Sequence, residues 1–223
     1  MTNYRLNCER GETKVAGHPV ALTVSGDPDA AGGRRVEGVT HSGASITSWV
    51  DADGRFRSTV VGPLEGGRDA EWHALKVFQK ALGSQGIPSV EIHGAQDDRG
   101  EDRLIVIGGR KHVVQTVSVP ADPSVWRSIA EEGAVLEGDL LDAVQFVRTS
   151  IERKLHHASD SILLLEASAL GAVLGPRLVD AYVERFGDPE SELGAAQVWI
   201  VGRTGRDVLR VGGRADEVDG GSA

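Results

Sequence analysis

Three features of the 223-residue sequence predict an α/β fold with a mixed β-sheet and helices on both faces. Short β-branched runs bounded by glycine and proline recur along the chain. Stretches with apolar residues at helical spacing fall between them. The runs at 161–167 and 197–201 are continuously apolar, as strands covered on both sides are. Together these give the order β, β, β, α, β, β, β, α, α, β, α, β, which points to layered α/β rather than to separate all-β and all-α units.

Residues 1–62 read as an N-terminal β segment. Its first strand is 19–24, and the SGDPDAAGGRR that follows is an exposed loop. Ile46, Ser48 and Val50 then alternate with Ser45, Thr47 and Trp49, and 44–50 and 55–61 flank Asp51-Ala-Asp-Gly54 as a β-hairpin. That turn opens like a calcium loop, but such a loop needs further acids and a late Glu over about twelve residues. Arg55 and Phe56 stand where those ligands begin, so the stretch is a turn.

From 69 to 82, Ala70, His73 or Ala74, Val77, Phe78 and Ala81 recur on one side of an amphipathic helix, with Asp69 as N-cap and Gly83 and Gly86 as stops. Glu71 sits in its first turn, where the helix dipole favours a carboxylate. Residues 90–119 read as a strand, an acidic loop carrying Asp97, Asp98, Glu101 and Asp102, and a tight hairpin. The hairpin strands are 104–107 and 112–119, joined by Gly108-Gly109-Arg110-Lys111.

Pro120 to Pro123 breaks the chain. A short helix at 125–132 buries Trp126, and a longer one spans 136–157 with Leu140, Leu141, Val144, Val147, Ile151 and Leu155 at helical spacing. It ends in cations and in His156-His157, which face different sides of a helix and do not hold one metal together. After the strand at 161–167, Pro176 opens a helix over 177–186. A second buried strand follows at 197–201, a pairing edge at 207–211, and a small, polar tail at 212–223 read as disordered.

Composition narrows the function. With 40% hydrophobic and 26% charged residues the chain is globular. A formal charge of -9 argues against a broadly basic nucleic-acid surface, and 4% aromatics argue against a stacking platform. The single cysteine, Cys8, rules out an intrachain disulfide and a cysteine-based zinc cluster. No signal-like start and no apolar run near the roughly 18 residues of a membrane span are present, so a cytoplasmic protein without a membrane partner is expected.

The chemistry-bearing residues lie around the central hairpin. Asp102 stands at the mouth of its first strand, Gln115 lies on one face of the second with Val113 and Val117, and the helix with Glu71 comes before. This arrangement over 69–211 resembles the PD-(D/E)xK nuclease superfamily, the restriction-endonuclease-like fold. The resemblance implies a single domain over 69–211, to which 1–62 is an addition. It also implies a Mg²⁺ held by an Asp and by the acid of an ExK tripeptide, whose Lys assists the attacking water. Asp102 matches the first Asp and Glu71 the helix acid. If Gln115 takes the Lys place, Val113 takes the acid place; if Gln115 takes the acid place, Val117 takes the Lys place. Neither register restores the second carboxylate and the Lys.

The expectation is therefore a nuclease-like fold with a degraded metal site, marked by Asp102 and Gln115 and supported by Glu71. It would serve as a non-catalytic nucleic-acid-associated or scaffolding component. One alternative is an active Mg²⁺-dependent endonuclease with a migrated carboxylate, in which Asp102 and one of Asp98, Glu101 or Glu91 hold the ion and Gln115 positions the water. Another is a protein-interaction module whose acidic surface binds a basic protein partner, or a homodimer formed through its hairpin. Glu166, at the carboxyl end of a buried strand, is read as emerging into water. Arg110, Lys111, Arg127, Arg148, Arg153 and Lys154 make a basic rim if the hairpin tip and the helices meet.

Overall fold

The computed structural model describes residues 33–40, 43–62, 67–92, 103–154, 161–194 and 197–212. The strand read at 19–24, the acidic-loop residues Asp98, Glu101 and Asp102, His156 and His157, and residues 213–223 lie outside that set.

The described elements, in chain order, are β1 (Arg34–Val39), β2 (Ser45–Val50), β3 (Phe56–Val61), α1 (Gly67–Ser84), β4 (Ser89–Glu91), β5 (Arg103–Ile107), β6 (Arg110–Ser118), α2 (Pro123–Glu131), β7 (Ala134–Gly138), α3 (Leu140–Glu152), β8 (Ile162–Glu166), α4 (Pro176–Phe186), α5 (Pro189–Leu193), β9 (Gln197–Val201) and β10 (Val208–Arg210). They build two sheets and a mixed α/β architecture. The smaller sheet is antiparallel, in the order β1-β2-β3-β7. The larger runs β10-β9-β8-β6-β5-β4, parallel through β6, β8 and β9 and antiparallel at both margins.

Local chemistry accounts for most of these elements. The 45–50 alternation buries Ile46 and Ser48 and exposes Ser45, Thr47 and Trp49. The Asp51 carboxylate accepts the N–H groups of Asp53 (3.0 Å) and Arg55 (2.9 Å), which closes the β2–β3 turn with backbone rather than with an ion. Gly108 and Gly109 both take positive φ (57° and 82°), the two-residue hairpin turn that matches strand twist.

α1 packs Ala74, Leu75, Phe78 and Leu82 on one face of the larger sheet, against Ile105, Val114, Ile162, Leu164 and Val201. On the other face Leu163, Leu165, Val198 and Ile200 meet Val144, Val147 and Ile151 of α3 and Leu178 and Tyr182 of α4. Full burial of each such aliphatic side chain is worth about 1.5–3 kcal/mol, so these two layers dominate the stability. Every residue from 161 to 174 is buried. The smaller sheet is pinned to this run by two serines. The Ser48 and Ser58 hydroxyls lie 2.7 Å apart and donate to the Leu170 carbonyl (3.3 and 3.2 Å), and Ser48 Oγ accepts the Ala172 N–H at 2.8 Å.

Two expectations about the elements are corrected. The helix expected over 136–157 starts only at Leu140. Residues 134–138 form β7 on β3, and Asp139 caps α3, accepting from the N–H groups of Leu141 (2.7 Å) and Asp142 (3.1 Å). Leu136 shared the helical spacing of Leu140 by coincidence, and the Gly138-Asp139 stop was the stronger signal. The loop read over 25–35 gives way to β1 at Arg34. β7 also completes the sheet begun by β1–β3.

Candidate functional site

Gln115 lies in the middle of β6, buried, opposite Leu163 of β8. Its neighbour Val114 packs under α1, whereas Leu163 and Val117 belong to the α3 side. Strand alternation therefore puts Gln115 on the α3 face. Glu71 lies one turn before Leu75 and two before Phe78 on α1, along the stripe that meets the opposite face. The larger sheet stands between Glu71 and Gln115. Asp102, Glu101 and Asp98 lie outside the described residues; Arg103, next after Asp102, opens β5 opposite Val114.

Glu91 has a definite surrounding. It pairs with Ile105 across β4 and β5, and its side chain is only 4% exposed. Lys76 of α1 brings its Nζ to 3.1 Å from Oε2, and Arg103 brings Nη1 to 3.3 Å from Oε1. Lys76 is steadied by Gln79 (3.2 Å) and by the Trp72 ring, 5.6 Å from its ammonium. Beside this cluster an open cleft of about 550 Å³ is lined by Lys76, Gln79, Lys80, Ser89 and Glu91. Both carboxylate oxygens of Glu91 are thus matched to protein cations, and a divalent ion would have to displace them. A buried Glu between Val90 and Ile92 demands such partners, a signal in the sequence that could have pointed to this cluster.

Glu166 does not emerge into water. It is 1% exposed at the end of β8, between Ser118 of β6 and Val201 of β9. Its Oε1 accepts the Ser168 N–H at 3.0 Å and the Ser168 hydroxyl, so the carboxylate tethers the turn into the buried 168–173 segment. Periodicity did not reveal this, because the chain stays buried beyond the strand end instead of surfacing.

Part of the basic rim is spoken for. Arg148 bonds Glu152 Oε1 at 2.8 Å and Glu192 Oε1 at 2.7 Å, and its guanidinium stacks 5.1 Å from the Phe186 ring centre. The Arg148 hydrogen bonds hold Glu192 below the usual carboxylate range. Arg153 donates to the Ala121 carbonyl, whereas Arg110, Lys111 and Arg127 are exposed. Burial raises the neighbouring Tyr182 phenol.

Among the described residues no three His, Cys, Asp or Glu side chains gather as a metal site, and no helix is long and apolar enough to cross a membrane. The donors that are described do not fit Mg²⁺: Gln115 is uncharged, Glu91 is bound to two cations, and Glu71 lies across the sheet from Gln115. No protein-family model, no curated protein and no solved structure matches this chain.

Proposed function

We propose that this chain is a restriction-endonuclease-like α/β protein that has exchanged divalent-metal chemistry for internal ion pairing, and that it acts as a non-catalytic nucleic-acid-associated or scaffolding component. The supporting order is helix α1, the antiparallel meander β4-β5-β6, a crossover through α3, and β8 parallel to β6. The observation that carries the reading is Glu91 held between Lys76 and Arg103. A hard ion such as Mg²⁺ wants carboxylates with free oxygens, and a carboxylate already paired with two cations is a poor ligand. Contacts to nucleic acid fall to exposed cations such as Arg110, Lys111 and Arg127, and salt weakens them steeply.

The test is a binding and cleavage assay with single- and double-stranded DNA and RNA, run with and without Mg²⁺ or Mn²⁺. The expected outcome is salt-sensitive binding, weakened by Arg110→Ala with Lys111→Ala, and no cleavage. Metal-dependent cleavage lost in Asp102→Ala would instead establish the active nuclease. Neither binding nor cleavage would leave the scaffolding role alone.

A further inference from the structure

The outermost strands of the larger sheet, β4 and β10, have three residues each, while β1 at the margin of the smaller sheet has six. Among the described residues β1 pairs with β2 alone. Thr40 donates to Ala44 across that pair, so the even-numbered residues of β1 bond β2, and the N–H and C=O groups of Arg35, Glu37 and Val39 point away from the sheet. Such a row is a template for another strand.

Arg203, in the loop after β9, covers part of it. Its Nη1 donates to the Glu37 carbonyl and its Nε to the Val39 carbonyl, both at 2.8 Å. The guanidinium lies over Gly38 so closely that a Cβ there would collide with it. One arginine thus occupies two of the three acceptors that an added strand would use.

We propose that the outer edge of β1 is a pairing surface for a second copy of this chain, held shut by Arg203. Antiparallel self-pairing about a two-fold axis is self-complementary, since each copy offers the same row of donors and acceptors. The charges select a register. Centring the pair on Val36 sets Arg35 opposite Glu37 of the second copy, twice over, so that the two Arg35–Glu37 ion pairs made within the separate copies become two between them. The smaller sheet then continues across the two-fold axis.

Size-exclusion chromatography with light scattering decides it. The wild-type chain should elute with the mass of one chain and Arg203→Ala with the mass of two, its self-association about a hundredfold tighter once two charge-assisted bonds no longer compete. Adding Glu37→Lys to Arg203→Ala should return one chain, and adding Arg35→Glu as well should restore two. A folded Arg203→Ala protein that stays single at high concentration overturns the proposal, as does a dimer indifferent to Glu37→Lys or a wild-type dimer. Where Arg203→Ala fails to fold, Arg203→Met, which keeps the apolar stem and has no donor for the two carbonyls, is judged by the same readings.

Discussion

Lys76 on α1 sets its ammonium 3.1 Å from the carboxylate of Glu91 on β4, joining a helix to the margin of the larger sheet through a group with 4% exposure. Arg103 completes the neutralisation from β5. Because both cations are partly in water, losing either one should cost about 1 kcal/mol. Losing both leaves a buried carboxylate without a counter-charge and should cost roughly 3–5 kcal/mol. Urea unfolding of Lys76→Ala, Arg103→Ala and the double variant checks this; strictly additive losses would mean that the two cations do not share Glu91.

Arg203 and Gly38 form a second coupled pair. Gly38→Ala should expel the guanidinium and cost about 2–3 kcal/mol, and Arg203→Ala should cost about 2 kcal/mol through two lost charge-assisted bonds. Both substitutions remove the same contact, so the double variant should lose less than the sum of the singles. Thermal unfolding of the three proteins measures the difference.

Gly171 takes φ +52°, and a Cβ there would meet the Ser48 side chain. Gly171→Ala should therefore cost about 3 kcal/mol, combining backbone strain with displacement of the smaller sheet. Ser48→Ala should cost about 1–2 kcal/mol, since the buried Ala172 N–H loses its acceptor. Chemical denaturation separates the two values.

The cap on α2 makes stability depend on pH. The Ser124 backbone N–H, and then its hydroxyl, hold Asp122 below the usual carboxylate range. A carboxylate lowered in the folded state contributes stability that is present above its unfolded value and lost as pH falls through the folded value. Asp122→Ala should cost about 1 kcal/mol at neutral pH, and the gap to wild type should narrow in acid. Because Asp122 is exposed, solvent screening keeps the pH-dependent part at the low end of that range. A gap that is constant from neutral to acid pH would assign the effect to helix propensity.

Where one physical signal acted alone, the sequence was legible. The Gly108-Gly109 hairpin, the apolar runs of β8 and β9 and the amphipathic stripe of α1 lie where pattern put them. Pattern failed where tertiary pairing competed with it. β7 was hidden inside a helical spacing, and β1 begins within a Gly- and Arg-rich stretch that is a strand through its pairing with β2. At the site, Glu91 was read as an alternative ion ligand, because its cationic partners come from α1 and β5 and no local spacing links those to it. The burial of Glu166 depended likewise on Ser168 and on a segment that continues inward instead of turning out.

Under the proposed function, this fold works without a divalent ion. Isothermal titration of Mg²⁺ and of Mn²⁺ into the purified protein, beside Asp102→Ala, tests it most directly. No saturable heat that the substitution removes is expected. Saturable binding lost in Asp102→Ala would contradict it and restore a metal-dependent nuclease.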